Sequence, residues 1–420
     1  MTIIPEIVRW LVYSILHRIL HGRCDKAIFR SAPPKETESF CWIFCSTIGE
    51  LNACKLLIQH YCSTGKVLLL TDREIYVDSF KSQFPMAEVA VADIDFRKTA
   101  LTISRYPPHL AIVCEIPVLL HDAPCRLSYG VLRALKKYQV RICLVNGWLY
   151  GYKPACKQDY IEKLLFEQDY LNCFDILSVQ TDEVKQVLIS QGAYAHRVVV
   201  TGNMKYDNLN ANLVLTAQTQ ELLDMLKHYN QLFVAGCVTD VWEYNFVVSA
   251  FVKARQNQPD LKLIIAPRHP EKPEQLAALV GILQQNILQY DFRSMIAASW
   301  QLKDVLIIDT FGELKAFYSI ASLCYVGINH NILEPLSLGK SVAVLENWEP
   351  RYPSYPVFKI AESNSMIFLV ESEEDLAEFL TQSAGNRYSS QKVLNKLQIL
   401  SGAFSRNLEQ ISMLVSIKGN

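Results

Sequence analysis

Residues 39–50 read SFCWIFCSTIGE. The run from Phe40 to Cys45 has the length of a strand and no polar alternation, the mark of a strand buried on both faces. Ser46-Thr47-Ile48-Gly49-Glu50 then supplies a turn, and IGELNACKLLIQHYC continues as an amphipathic helix. Parallel strands cannot be joined by a tight hairpin, so strand, turn and returning helix form the unit of a parallel sheet. The same alternation recurs downstream. KVLLLTD (66–72), AEVAVAD (87–93), HLAIVCEI (109–116), VRICLVN (140–146), FDILSVQT (174–181) and RVVVTGN (197–203) are further short apolar runs separated by helical or polar stretches. The predicted architecture is α/β and doubly wound.

The pattern restarts after a polar linker, Asp207–Leu222, whose end runs as helix into Tyr229. NQLFVAG (230–236) is a strand ending in glycine, and Trp242–Gln256 reads as a helix. LKLIIAP, VLIIDT, SLCYVG, KSVAVLE and MIFLVE follow as strands. Two successive doubly wound units predict two facing Rossmann-like domains, placed at 38–206 and 222–395, with a C-terminal helix over 396–420. In such sheets ligands sit beyond the carboxyl ends of the strands, which makes a cleft between the domains the expected site.

Composition agrees with this. The chain has 420 residues, enough for two or three domains at roughly 100–200 residues each. Half of the residues are hydrophobic and 20% are charged, a globular balance. A net charge of -1 gives no global attraction for nucleic acid, so an anionic ligand requires local basic residues. The 12 cysteines show no zinc-type spacing; many sit within apolar runs, as expected of small buried hydrophobes in a reducing compartment. Ile3–His21, within a segment 1–22, carries apolar residues at helical spacing together with Arg9, His17, Arg18 and His21. It is too interrupted to span a bilayer and no small-residue cleavage site follows it. A basic amphipathic helix lying in the membrane interface fits, in competition with an ordinary helix packed on the domain.

Six polar clusters follow apolar runs. Glu50 ends the first and is a candidate base, although an acid at a helix start is also favoured by the helix dipole. Glu115 lies at the tip of HLAIVCEI, with Pro117 stopping simple continuation of the strand. Thr201-Gly202-Asn203-Met204-Lys205-Tyr206-Asp207 is turn chemistry bearing a lysine that could face an anion. Pro267-Arg268-His269-Pro270-Glu271 pins an arginine fork between prolines, suited to phosphate or carboxylate. In Asp309-Thr310-Phe311-Gly312-Glu313-Leu314, Thr310 and Glu313 have capping-box spacing, which competes with phosphate binding by the helix start. Asn329-His330-Asn331-Ile332-Leu333-Glu334-Pro335 offers an amide and a carboxylate to sugar hydroxyls, again in competition with capping by Asn331. No P-loop, nucleophile elbow or HExxH motif is present.

In this order the clusters resemble the bacterial 3-deoxy-D-manno-octulosonic acid (Kdo) transferases of lipid A biosynthesis, from about Cys45 to Arg406. The family's Gly-Asn-x-Lys-x-Asp, Pro-Arg-His-Pro-Glu, Asp-Thr-x-Gly-Glu-Leu and His-Asn-x-Leu-Glu-Pro elements are all present, and its C-terminal Gly-Ala is echoed at Gly402-Ala403. The resemblance implies a GT-B fold with an N-terminal membrane-associated helix, and an inverting transferase moving Kdo from CMP-Kdo to a lipid A precursor in lipopolysaccharide synthesis. Glu50 and Glu115 would be catalytic, with Glu50 the base. Lys205, Arg268, His269, Gly312, Glu313, Asn331 and Glu334 would bind the donor. No cofactor and no metal are implied, only the substrate CMP-Kdo. The implied partners are a CMP-sugar donor, a lipid A-type acceptor and the inner-membrane surface, with no nucleic acid. The implied location is the cytoplasmic face of the bacterial inner membrane, peripheral or monotopic. The sequence departs from the family pattern at Asn146-Gly147-Trp148, where an arginine is missing, and at Cys237-Val238-Thr239, beyond which only Glu243 remains of an acidic pair. It departs again at Gly327-Ile328-Asn329 and at Pro117. A different nucleotide sugar, or a non-catalytic binding protein on the same fold, are the alternative readings.

Overall fold

β1, Phe40–Phe44, shows how the sequence builds the first sheet. Phe40, Trp42 and Phe44 point into one core, while Cys41, Ile43 and the following Cys45 enter another. Side chains alternate along a strand, so a continuous apolar run must be covered on both sides. One face is therefore packed with large aromatics and the other with thiols and aliphatic chains. This accounts for the cysteine content: among the described residues, Cys41, Cys45, Cys54, Cys114 and Cys143 are free, buried thiols in the second core.

In the computed structural model the described residues are 6–21, 38–92, 96–116, 127–148, 156–207, 209, 215–296, 300–350, 352, 354–381 and 390–416. Pro117 and the outer residues of the N-terminal segment lie outside them. The chain forms two compact units, Met1–Asn208 with Leu400–Asn420, and Leu209–Ile399.

In the first unit, α1 (Glu6–His21) precedes β1, followed by α2 (Ile48–Ala53), α3 (Lys55–Thr64), β2 (Lys66–Thr71), α4 (Val77–Gln83) and β3 (Glu88–Val91). Then come α5 (Phe96–Arg105), β4 (Pro108–Cys114), α6 (Tyr129–Lys137), β5 (Arg141–Gly147), α7 (Lys157–Leu171), β6 (Ile176–Val179), α8 (Asp182–Ser190) and β7 (Val198–Val200). The strand order is β3-β2-β1-β4-β5-β6-β7, with every pair parallel. The order reverses between β1 and β4, so the crevice of a doubly wound sheet opens beyond Phe44 and Cys114.

The second unit begins with α9 (Ala217–Leu226), β8 (Leu232–Val238), α10 (Val241–Arg255), β9 (Lys262–Pro267), α11 (Pro273–Gln285), β10 (Tyr290–Phe292) and β11 (Val305–Ile307). It continues with α12 (Leu314–Ile320), β12 (Leu323–Val326), α13 (Leu333–Ser337), β13 (Val342–Leu345), α14 (Tyr355–Ser363), β14 (Phe368–Val370), α15 (Glu373–Thr381) and α16 (Ser390–Leu400). Its parallel sheet runs β10-β11-β9-β8-β12-β13-β14 and reverses between β8 and β12. The edge strand β10 has no apolar run to announce it; its three residues are only half-buried.

The last helix, α17 (Ala403–Ser416), returns to the first unit and packs on β5, β6 and α3. Ala403 and Ile411 enter the thiol-rich core. Asp207, the end of the junction motif, accepts hydrogen bonds from the Gly402 and Phe404 amides, the latter at 2.7 Å, and so satisfies orphan donors at the start of α17. The junction motif and the Gly402-Ala403 echo are therefore two halves of one contact.

α1 packs on the opposite, aromatic core. Tyr13 is buried there, Trp10 stacks on it, and Arg9 pairs with Asp169 of α7 at 2.6 Å. Its outer side exposes Ile7, Leu11 and Ile15. Among the described residues no helix is long and apolar enough to cross a membrane.

Candidate functional site

In the first unit the strand tips gather a buried polar network. Thr47 is the N-cap of α2, its hydroxyl accepting from the Glu50 amide at 3.4 Å. The Glu50 carboxylate turns back to accept from the Ser46 amide at 2.5 Å. The cap is that of a capping box, but the carboxylate takes the amide one residue before the N-cap; the helix-start reading of Glu50 is real. Glu50 nevertheless stands at the switch point of the sheet, with only 3% of its surface exposed. Ser46 donates its hydroxyl to Asp72 at 2.6 Å, and Thr71 donates to the Ser46 carbonyl, which holds the turn against the end of β2.

Glu115 is bent into a left-handed conformation, φ +66°, directly after β4. Non-glycine residues adopt that region rarely, and when they do the surroundings must hold them there. Here its carbonyl accepts from the Trp148 amide, and its carboxylate accepts from the Asn146 amide group at 3.0 Å and pairs with Lys205 at 3.0 Å. Lys205, expected to face a donor, thus neutralises a buried acid of its own unit. Asn146, also left-handed at φ +53°, accepts from the Met204 amide, while Gln180 bridges the Asn146 carbonyl to Asn203. These amides were not expected from the sequence; they tie the tips of β4, β5 and β6 to the junction motif. Glu50 and Glu115 both act on the Cys45 thiol, which burial foremost pushes up to about 11. The structure therefore brings the two acids together at the β1/β4 switch point.

In the second unit the corresponding turn follows β8. Glu243 is buried; it accepts from the Thr239 amide at 2.6 Å, the Tyr325 hydroxyl at 2.7 Å and the Ile328 amide at 2.9 Å. Burial pushes its carboxyl up despite these donors. Gly327 follows β12 because a Cβ there would strike the Cys237 carbonyl. The β8 and β12 tips approach that closely.

Arg268 leaves the end of β9 exposed, its amide bonded to the Val238 carbonyl at 2.8 Å. Among the described residues its guanidinium makes no hydrogen bond or ion pair. His269 pairs instead with the exposed Glu271 at 3.0 Å. His330 follows β12 and contacts Thr239 at 3.3 Å. Burial first, then Arg268 and His269, lower its imidazole to about 4, so it is neutral at pH 7. Asn331 accepts from the Leu333 amide and donates to Glu334 at 3.2 Å, a capping role on the short α13. Burial raises the Glu334 carboxyl, partly offset by Asn331 and Lys315. Arg268 and Glu334 also both act on the half-buried Cys237 thiol, which burial raises to about 11. Arg268, His330 and Glu334 therefore surround the tip of β8.

The capping box expected between Thr310 and Glu313 does not form. α12 starts three residues later than that spacing requires, with Glu313 itself as N-cap and no side-chain cap. Thr310 instead donates to the Glu313 carboxylate, which also receives Thr219 and Arg293, the last at 2.9 Å. Burial would raise Glu313, but these donors outweigh it and the net shift is downward. Gly312 is left-handed at φ +83° with open space where a side chain would stand. Arg293, only 4% exposed, was missed from the sequence, because nothing in Phe292-Arg293-Ser294 signals a partner so far along the chain.

A groove of about 810 Å³ runs along α9, lined by Glu221, Asp224, His228, Tyr229 and Trp300; none of the strand-tip residues contributes to it. Among the described residues no three His, Cys, Asp or Glu side chains could hold a metal ion.

An exposed arginine, a half-buried acid, amides and a glycine turn at strand tips suit a phosphorylated, hydroxyl-rich ligand. Two doubly wound units of this kind define a GT-B-like protein. The fold agrees with UDP-GlcNAc 2-epimerase from Neisseria meningitidis, which is 15% identical and superposes with a TM-score of 0.60 over 90% of this chain and 100% of that one. Residues 125–208 match the family model of 3-deoxy-D-manno-octulosonic-acid transferase. A 3-deoxy-D-manno-octulosonic acid transferase of Chlamydophila psittaci is 27% identical over 77% of this chain and 74% of its own length. A bifunctional glycosyltransferase/methyltransferase of Fusobacterium nucleatum is 23% identical over 76% of this chain, which spans only 49% of that relative. Together the sequence matches make the chain similar to the Kdo transferases, which are glycosyltransferases.

Proposed function

We propose that the chain transfers Kdo from CMP-Kdo to a lipid A-type acceptor, inverting the anomeric centre in one displacement. The observation that carries this reading is that the family's elements follow the carboxyl ends of strands in both sheets. Glu50 stands in one unit; Arg268, Gly312 and Glu334 stand in the other. Glu50 takes the proton of the acceptor hydroxyl as its oxygen attacks the anomeric carbon. The bond to the CMP phosphate breaks, and Arg268 meets the charge left on the leaving phosphate. Glu334 and Asn331 read hydroxyls of the nucleotide sugar. Glu115, held by Lys205 and Asn146, keeps the β4 tip in its left-handed turn beside Glu50. The chemistry asks for no metal and no cofactor. The exposed apolar side of α1 supports a peripheral seat on the cytoplasmic face of the inner membrane, where such an acceptor is found.

Calorimetry comparing CMP with UMP, UDP and GDP tests the donor. CMP should bind in preference, and Arg268→Ala should weaken it about ten-fold or more, the scale of a lost charge-assisted contact. The departures at Cys237-Val238-Thr239 and at Trp148 favour a second reading, another nucleotide sugar. A preference for a nucleoside diphosphate would select it, and absence of any nucleotide binding would favour a non-catalytic role.

A further inference from the structure

None of the acids of α7 is exposed: Asp159 and Glu162 are buried, and Glu167 and Asp169 are half-buried. The exposed residues of this helix are Lys157, Tyr160, Ile161, Lys163, Leu164 and Gln168. Tyr160, Ile161 and Leu164 fall at helical spacing and form one outer stripe, on which Leu164 is 78% exposed. A surface helix ordinarily turns its apolar residues inward and its acids to water. Here Phe166 and Tyr170 already fill the aromatic core, so the outer stripe is apolar surface that the fold does not use. Exposed apolar patches of this kind, bordered by charge, mark interaction surfaces.

The stripe belongs to the same helical layer as α1. Arg9 pairs with Asp169 at 2.6 Å, and the Tyr13 ring meets Phe166 edge-on at 5.2 Å. Advancing along α1 therefore retreats along α7, and the two helices run antiparallel. Tyr13, Phe166 and Tyr170 enter one core, so both helices cover the same side of the sheet and turn their outer sides away from it. Ile7, Leu11 and Ile15 of α1 then share an outer surface with Tyr160, Ile161 and Leu164 of α7. Its border is cationic. Lys157 and Lys163 stand on α7, and across α1 the exposed Lys137 lies over Phe96, which packs on Trp10. Glu6, the exposed acid at the start of α1, is paired with Arg133. Aliphatic chains in the middle, a tyrosine and a lysine border fit a bilayer surface with anionic headgroups. Pressed against a second copy, the same face would set one cationic border against another.

Resting on the membrane seat proposed above for α1, we infer that α7 is a second docking helix. Tyr160, Ile161 and Leu164 enter the interface beside α1, and Lys157 and Lys163 meet anionic lipid headgroups. The test is co-sedimentation of the full chain with two kinds of vesicle. One holds phosphatidylethanolamine and phosphatidylglycerol in equal parts; the other holds phosphatidylcholine alone. Wild type should bind the anionic vesicles more tightly. Leu164→Glu should weaken binding to both kinds about ten-fold or more, because a charge replaces an inserted apolar chain. Lys163→Gln should weaken the anionic vesicles about five-fold, the scale of one basic residue at such a surface, and leave phosphatidylcholine unchanged. Both side chains are exposed, so the urea midpoint of each variant should match wild type; should Leu164→Glu shift it, Ile161→Glu reads the same stripe. If Leu11→Glu on α1 abolishes vesicle binding while Leu164→Glu and Ile161→Glu leave it unchanged, α1 docks alone and the role of α7 is wrong. If analytical ultracentrifugation finds a dimer that Leu164→Glu splits without changing vesicle binding, the stripe is a contact between copies and the lipid assignment is wrong. Failure of wild type to bind either vesicle would instead remove the membrane seat itself.

Discussion

The two units solve the same local problem twice, and the comparison separates scaffold from chemistry. Each sheet turns from its first strand into a helix through an N-cap and a glutamate three residues on. In the first unit these are Thr47 and Glu50; in the second, Asp240 and Glu243. Each cap accepts from the glutamate's amide, and each glutamate accepts from the amide four residues back, Ser46 or Thr239. Beyond that the turns differ. Glu243 also receives the Tyr325 hydroxyl and the Ile328 amide, so it cross-links β8, α10 and β12. The helix it begins runs for 15 residues, whereas the helix holding Glu50 stops after 6. Glu243 is placed as a staple between elements. Glu50, buried as well, sits on a short, separately fastened turn at the end of β1, where the proposed mechanism puts its base.

The largest expected effect lies in the first turn. Glu50→Gln keeps an acceptor for the Ser46 amide but removes the proposed base. Transfer measured with a Kdo donor should fall by about 10²–10⁴, with unfolding free energy within about 1 kcal/mol of wild type. Retained transfer with a large loss of stability would reverse the roles assigned to the two glutamates. Next is Glu243→Ala, which strands a buried hydroxyl and two amides. Urea unfolding should show a loss of about 3 kcal/mol, and a loss below about 1 kcal/mol would mean that the staple carries nothing. Removing the caps, Thr47→Ala and Asp240→Ala, should each cost about 1 kcal/mol and so show that the helix-start device itself is equivalent in both units. A clear inequality would break the comparison at its base. The smallest effect concerns pH. His330 titrates near 4 in the folded unit against about 6.5 unfolded. Its folded value is depressed, so the stability tied to it is present above pH 6.5 and is lost as the pH falls toward 4. His330→Gln should flatten that part of the acid limb, and an identical pH profile in the variant would remove the imidazole from the account.

What could be read from residues alone follows from the range of the interactions involved. Runs such as FCWIF and LKLIIAP announce buried parallel strands because burial on both faces leaves no polar position in them. The strand-tip clusters were legible because a doubly wound sheet places function at that edge. The Lys205–Glu115 pair was not legible, since its partners lie far apart in the chain and a lysine in a turn carries no sign of which anion it meets. Arg293 was hidden for the same reason. Thr310 and Glu313 misled because a capping-box spacing fixes which residues could pair but not where the helix starts. Glu313 became the cap itself, and its carboxylate was drawn toward Arg293 instead.

The bond between Asp207 and the Gly402 amide has a consequence for chain engineering. It holds the two points where the backbone leaves and re-enters the first unit within one hydrogen bond of each other. The second unit is thus an insertion in the topological sense, spliced into a host whose cut ends already touch. Joining Asn208 to Ser401 through a short glycine bridge should close the host over the gap, giving the first unit as a single continuous chain.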